Sequence, residues 1–326
     1  MKLNMSSIMV LIIISFSSIA TIFMLLRPDE ENKLEKMKMF LESQHIPEIG
    51  LLRASIWTVP DNHSIWVSSD NLLASRALKV ADSPLAEEII MILERDYGGG
   101  FNGLHEVLLG RRIKLPPRTE VENRLGEVSV RGVTYIVKFE DRSSGDYMTD
   151  WIRYVDLSVY VALEKIMEDE LEEAKMIFQD LIDTWDGYGF RDQAYNKTYQ
   201  AYKIALVHYL YRVLREADPS FIKRFTDKVE EMSKIGWMMM DLSGGIIAEY
   251  RVENGELVWV GDPNTETTSM FMLSYYSDYP VKVANVYLRR KGEKLLFETF
   301  VLILSIAITV VLVFSITPYL KRKLFI

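Results

Sequence analysis

The chain of 326 residues contains no cysteine, so disulfides, thiolate metal sites, iron–sulfur clusters and cysteine nucleophiles are excluded. It also lacks a basic excess, because 38 Lys and Arg stand against 46 Asp and Glu and leave a formal net charge of −8. This balance argues against nucleic acid as a partner. The four histidines have no zinc-ligand spacing, and neither a G-x-S-x-G elbow nor a P-loop occurs. The sequence therefore predicts no metal site and no cofactor.

Two uncharged hydrophobic stretches lie at the ends of the chain. The first covers residues 3–26 and the second residues 299–320, which three basic residues follow at once. A helix of roughly nineteen residues spans about 28 Å, close to the hydrocarbon thickness of a bilayer. The sequence therefore predicts a transmembrane helix at each end, with the lipid bilayer as a partner. A cleaved signal peptide is the alternative for the first stretch, because Ser18-Ile19-Ala20 has the small-x-small form of a cleavage site.

Positive charge sets the predicted topology. Lys2 and the basic C-terminal end place both termini in the cytoplasm by the positive-inside rule. The predicted organisation is an N-terminal anchor over residues 1–26, an extracytoplasmic domain over 27–294, a transmembrane helix over 295–320 and a basic cytoplasmic tail over 321–326. The oligomeric state is left open.

Between these ends the sequence predicts a mainly α domain built from helical hairpins. Glycine-aromatic loops at residues 98–101, 187–190 and 244–246 each follow the second helix of a pair. Repeated hairpins bury their apolar faces against neighbouring hairpins, which gives a solenoid or a closed ring, and the ring is favoured. Alternating patterns predict two small β-hairpin insertions, over residues 127–140 and 246–260.

Three loop sequences resemble those of α/α-toroid proteins, the six-hairpin glycosidases and their relatives. They are SDNLLA at residues 69–74, WDGYGFRD at 185–192 and GDPNTETT at 261–268. The resemblance implies a carbohydrate funnel at one end of the toroid, lined by aromatic and acidic residues from loops that lead into the inner helices. The chain departs from that pattern because it has roughly four inner helices, against six in a full toroid, which makes the ring incomplete.

Acidic residues near the starts of the predicted inner helices are the catalytic candidates. Glycoside cleavage needs one protonated and one ionised carboxyl group across the scissile bond. Asp156 and Asp192 are the preferred pair, and Asp70 and Glu266 complete the set. Asp156 has apolar and aromatic neighbours at helical spacing, and burial there would raise the pKa of its carboxyl. Three of these acids also have a structural interpretation: Asp156 is a satisfied buried carboxyl, Asp70 is a helix cap, and Glu266 is a first-turn acid of a helix that Asp262 caps.

Aromatic side chains in the loops are the candidates for substrate binding. A set of loop and helix-start aromatics could stack sugar rings, although loop tryptophans can equally close the end of a ring of helices. The candidates are Trp57, Trp66, Trp185, Tyr188, Phe190, Tyr199 and Trp259. The pattern also predicts one long helix over residues 191–216, with a tyrosine stripe that runs from Tyr195 to Tyr209.

These predictions lead to two competing functions. The first is a membrane-anchored extracytoplasmic protein that acts on glycans in the manner of a glycoside hydrolase. The alternative is a non-catalytic cell-surface module that binds a glycan or a protein through the same aromatic end. Isoprenoid cyclases share toroidal helix pairs, but their aspartate-rich ionisation motifs are missing here. The absence of cysteine and the many charged helix faces also fit an archaeal source.

Overall fold

A computed structural model of the protein describes residues 28–57, 61–98, 104–113, 118, 121–141 and 145–323. This part of the chain is mainly helical. Its α-helices are α1 (Pro28–Ser43), α2 (Leu72–Val80), α3 (Leu85–Tyr97), α4 (Val155–Met167), α5 (Leu171–Asp183), α6 (Ala201–Ala217), α7 (Pro219–Ile222), α8 (Thr226–Trp237), α9 (Thr265–Tyr276) and α10 (Tyr279–Lys323). Short 3-10 helices cover Asp61–His63, Leu104–Leu109, Trp151–Arg153 and Lys223–Phe225, and a π-helical turn covers Val67–Asn71.

Three small sheets accompany the helices. Their strands are β1 (His45–Ile46), β2 (Leu51–Leu52), β3 (Ser64–Trp66), β4 (Val121–Val130), β5 (Val133–Asp141), β6 (Tyr199–Gln200), β7 (Glu249–Glu253) and β8 (Glu256–Trp259). β1 pairs with β2, β5 lies between β3 and β4, and β7 lies between β6 and β8. Both predicted β-hairpins are present, as β4–β5 and β7–β8. Asn254 and Gly255 adopt positive φ angles at the turn of the second hairpin, which matches the twist of the flanking strands.

Helix α6 lies at the centre of the helical body. It contacts α4, α5, α7, α8, α9 and α10, and apolar side chains such as Ile204, Leu210 and Leu214 are buried along it. Residues 201–217 contain no glycine or proline, and apolar residues occur on more than one face, which is typical of a buried helix. The four helices predicted for the inside of the ring are neighbours in the series α2, α9, α6 and α4. The closed or incomplete ring itself stays a prediction.

The predicted transmembrane flanks are the main correction. In the part of the chain that the structure describes, no helix combines the length and the apolar character needed to cross a bilayer. The prediction of a transmembrane helix over residues 295–320 is therefore wrong, and with it the predicted localisation. Helix α10 instead begins in the helical body, where Val283 and Tyr287 are buried, and it carries charged residues as far as Glu298. The predicted anchor over residues 1–26 lies outside the described residues.

The predicted long helix over residues 191–216 is too long at its N-terminal end. Helix α6 begins only at Ala201, and the ten preceding residues form turns and strand β6. The Asp192 carboxylate accepts a hydrogen bond from the backbone N–H of Ala194, and such a local bond competes with helix formation. Tyr199 then pairs with Tyr250 of β7. The tyrosine stripe is therefore divided between a loop, a strand and a helix.

Two predicted helix caps are also different in the structure. Asp70 lies inside the π-helical turn that precedes α2 and does not cap that helix. Asn264, not Asp262, caps α9, since its side chain accepts a hydrogen bond of 2.7 Å from the backbone N–H of Thr267. Because an N-cap carries extended backbone angles and a short polar side chain, asparagine is well suited to this position. The cap sets where α9 starts, and so where Glu266 lies.

Candidate functional site

A cluster of ionisable side chains surrounds Tyr202 at the N-terminal ends of three central helices. Tyr202 and Lys203 lie in the first turn of α6, Asp156 in the first turn of α4, and Glu266 in the first turn of α9. Asp192, in the loop before β6, and His105, in the 3-10 helix Leu104–Leu109, complete what we call the Tyr202 cluster.

The pKa of Tyr202 responds to several of these groups. Burial is the main cause that raises the pKa of Tyr202 well above its usual range. The negative charges of Asp156 and Glu266 follow as the next causes, with smaller contributions from Tyr160 and Asp192. Three of the four acids predicted from the sequence therefore act on one phenol hydroxyl, which stays protonated and can donate a hydrogen bond.

Asp192 has a structural role, because its carboxylate connects the N-terminal ends of α4 and α6. Its carboxylate accepts hydrogen bonds from Lys203 Nζ at 2.6 Å and from the backbone N–H groups of Val155 and Ala194 at 3.0 and 3.1 Å. Only 2% of the Asp192 side chain and 3% of the Lys203 side chain are exposed. A buried ion pair of this kind, with backbone donors added, fixes the start of α4 against the start of α6. Asp192 is thus a poor choice for moving a proton, and the predicted pair with Asp156 needs another partner.

Asp156 has the environment of a proton carrier. The hydroxyl of Tyr202 lies 3.4 Å from Asp156 Oδ2. Burial raises the pKa of the Asp156 carboxyl above its ordinary value, while the Lys203 charge and the backbone N–H of Leu157 work in the opposite direction. Since burial prevails, Asp156 keeps its proton at a higher pH than an exposed aspartate does.

Glu266 has a different environment. Its Oε1 lies 3.3 Å from His105 Nε2, and about a third (32%) of its side chain is exposed, against 10% for the histidine side chain. The His105 ring meets the buried ring of Tyr160 edge-on, with centroids 5.7 Å apart. The first turn of α9 also presents the positive end of the helix dipole to the carboxylate. Glu266 is therefore partly accessible to solvent.

Asp70, the fourth predicted acid, lies in a different element. It is buried in the turn before α2, where the Ser69 hydroxyl donates to Asp70 Oδ1 at 2.9 Å. Asn71 in the same turn bonds to both backbone groups of Leu52 and so ties this turn to β2.

Three of the predicted aromatic binders are core residues. Trp185 and Phe190 are buried and form an edge-to-face pair with centroids 5.1 Å apart, and the Trp185 indole N–H donates to Glu231 Oε1. Tyr199 is buried against Tyr250, with ring centroids 5.5 Å apart. These three rings therefore contribute to packing in the structure.

The other predicted aromatic binders keep accessible faces on separate segments. Trp57, Tyr188 and Trp259 are exposed. Trp66 is half-buried in β3, and the ammonium group of Lys138 on the neighbouring strand β5 lies 4.8 Å from the centroid of its ring. An exposed ring offers a flat apolar face to a ligand.

Lys203 and His105 are site residues that the sequence did not single out. A lysine within the apolar run of α6 is an unusual choice, since lysine is almost never fully buried without a partner. That signal was available at residues 201–207, where Lys203 is the one charged residue. His105 had no comparable signal, because its partner Glu266 is 161 residues away along the chain.

Comparisons with known proteins assign neither a family nor a function to this chain. No protein-family model, no curated protein and no solved structure matches this chain. The resemblance to α/α-toroid proteins rests on the three loop sequences alone. Function is accordingly argued from the geometry of the site and not from the fold.

Proposed function

We propose that the Tyr202 cluster hydrolyses a glycosidic bond, with Asp156 as the general acid and Glu266 as the carboxylate on the other side of the bond. Both residues belong to the acids predicted from the sequence, but the pairing replaces Asp192 with Glu266. The reaction needs two carboxyl groups in different protonation states near one sugar. The proposal identifies a residue for each state.

The observation that carries the proposal is the contrast between the two carboxyl groups next to Tyr202. Burial raises the pKa of Asp156, whereas Glu266 is partly exposed and paired with His105. Asp156 Oδ2 lies 3.4 Å from the Tyr202 hydroxyl, and the charge of Glu266, on a different helix, raises the pKa of the same hydroxyl. Two carboxyl groups in different environments beside one site are typical of an acid and its counterpart.

The remaining members of the cluster have supporting roles in this proposal. The Lys203–Asp192 ion pair orients the first turns of α4 and α6, which carry Asp156 and Tyr202. His105 orients Glu266. Tyr202 stays protonated and can donate a hydrogen bond to a sugar hydroxyl. Several interacting ionisable groups at the ends of buried helices cost stability, and such an arrangement is concentrated at functional sites.

The experiment is a product analysis of the full chain incubated with a panel of oligosaccharides of defined linkage. Asp156→Asn and Glu266→Gln should each lower the rate of any cleavage by at least about 100-fold, the usual range for loss of an acid or base. Asp183→Asn and Glu256→Gln change exposed acids outside the cluster and serve as matched controls. Equal rates in Asp156→Asn and the unaltered protein would contradict the proposal.

A non-catalytic sugar-binding module is the second candidate, and one observation favours it. Asp192 of the pair first predicted is saturated by Lys203 and two backbone donors, while Tyr188, Trp57 and Trp259 keep exposed rings. A bound oligosaccharide that is recovered uncleaved by the unaltered protein would support this candidate over hydrolysis.

A further inference from the structure

A cleft separate from the Tyr202 cluster opens between the loop before β6 and strand β7. Its volume is about 720 Å³, within the range of roughly 300–1,000 Å³ that is typical of small-molecule sites. Its lining includes Tyr188, Arg191, Tyr195, Lys197, Arg251 and Glu253. The cleft therefore combines aromatic rings with three basic side chains and one acidic side chain.

The aromatic wall of the cleft is rigid. Tyr195 rests on the buried ring of Tyr199, with centroids 4.9 Å apart, and Tyr199 in turn stacks on Tyr250. The Tyr199 hydroxyl donates to Asp186 Oδ2 at 2.6 Å, and the Tyr250 hydroxyl donates to the backbone carbonyl of Tyr188 at 2.7 Å. Tyr199 and Tyr250 are thus held by both stacking and hydrogen bonds, and the half-buried ring of Tyr195 packs on this support, which lowers the side-chain entropy lost on binding.

The charges that line the cleft are mostly positive. Arg191 is held by an ion pair of 2.5 Å with Asp186 and lies over the ring of Tyr195, while Arg251 pairs with Glu253. Lys197 is exposed and has neither an ion pair nor a hydrogen bond of its side chain to the described residues. This local excess of positive charge stands out in a chain whose net charge is −8.

The backbone at Lys197 adds a second unusual feature. Its φ angle is +64°, in the left-handed region that favours glycine and asparagine over lysine. The turn therefore holds an ammonium group at the cleft at some cost in backbone energy. A lysine kept in such a position is consistent with use of its charge.

We propose that this cleft binds an acidic sugar, a pyranose ring that carries a carboxylate. The apolar face of the sugar ring would lie on Tyr195 and Tyr188, and the carboxylate would pair with Lys197 and with Nη1 of Arg191, because Nε and Nη2 of that guanidinium already contact Asp186 and Tyr199. A charge-assisted hydrogen bond from arginine and the point charge of lysine both favour a carboxylate. This proposal does not depend on hydrolysis at the Tyr202 cluster.

The test is calorimetric titration of the full chain with short oligomers of galacturonic, glucuronic and mannuronic acid and with their methyl esters. The ester keeps the ring and removes the charge, so its affinity should be at least tenfold lower, and the affinity of the acid should fall as salt is added. Equal affinity of acid and ester, or no binding of any acid in the panel, would overturn the proposal. Displacement of the bound acid by inorganic sulfate at equal concentration would also overturn it, since the cleft would then be a simple anion site.

Substitutions in and outside the cleft test whether the acidic oligomer binds there. Lys197→Asn should lower the affinity for the acidic oligomer about tenfold, because asparagine tolerates the left-handed backbone and removes the charge. Lys223→Asn removes an exposed charge elsewhere and should leave the affinity unchanged. Asp156→Asn should bind the acid as the unaltered protein does even if cleavage is absent, which separates this proposal from the hydrolytic one. An unchanged affinity in Lys197→Asn contradicts the assignment.

Discussion

Replacing Lys203 with methionine removes the cation that neutralises Asp192 in the interior of the protein. The two side chains are 3% and 2% exposed, and Lys203 Nζ lies 2.6 Å from Asp192 Oδ2. Methionine keeps most of the lysine stem, so packing changes little and the loss of charge dominates. The carboxylate then stays buried with only its two backbone donors.

The expected cost follows from that burial. Removing one partner of a buried ion pair destabilises a protein by about 3–5 kcal/mol. The backbone N–H groups of Val155 and Ala194 still bond to Asp192, which moves the expected loss towards about 3 kcal/mol. The Lys203 charge also lowers the pKa of Asp156, so its removal should raise that pKa further.

Urea unfolding followed by circular dichroism measures the loss as a change in midpoint at constant slope. Lys79→Met is the matched control, because Lys79 pairs with Glu87 at 2.8 Å while both side chains are more than half exposed. Its cost should stay below about 1 kcal/mol. Adding Asp192→Asn to Lys203→Met should recover part of the stability. A loss below about 1 kcal/mol for Lys203→Met would refute the view that this pair is a buried structural contact.

Three further changes test other parts of the account. Gly189→Ala would bring a Cβ to 2.2 Å from Tyr199 Cδ1, and this overpacking should lower the free energy of unfolding by about 1–3 kcal/mol, measured by urea unfolding. Gly126→Ala is the control and should cost less, because no atom lies within 4 Å of the added Cβ. Asn264→Ala removes the cap of α9 and should cost about 1 kcal/mol by the same measurement, and no loss would contradict the cap. Asp156→Asn should stabilise the protein near neutral pH. A raised pKa means that ionising this partly buried carboxyl weakens the fold as the pH rises above the ordinary aspartate pKa of 3.8, and the advantage should vanish below that pH. A pH-independent difference would contradict the raised pKa of Asp156.

Local patterns predict the features of this fold that depend on neighbouring residues. The two β-hairpins follow from alternating side chains around turn residues such as Asn254 and Gly255. The presence of acids near the starts of central helices could also be predicted, and three of them lie around Tyr202. Helix-start signals depend on a few adjacent residues, so they can be recognised in a single sequence.

Features that depend on distant partners escaped prediction. Residues 191–200 form turns and a strand because Asp192 bonds to Ala194 and Tyr199 pairs with Tyr250, about 50 residues further along the chain. The role of Asp192 depends on Lys203 and Val155, which no spacing rule connects to it. The transmembrane helix predicted over residues 295–320 is wrong for a similar reason. Helix α10 starts within the helical body and not at the edge of the hydrophobic stretch.

The most direct test of the central claim is a crystal structure of the Asp156→Asn variant with an oligosaccharide that the unaltered protein cleaves. The account predicts that a glycosidic oxygen lies within hydrogen-bond distance of the side chain at position 156, with Glu266 next to the same sugar on its other side. An oligosaccharide bound only outside the Tyr202 cluster, with both carboxyl positions out of contact with it, would contradict the account.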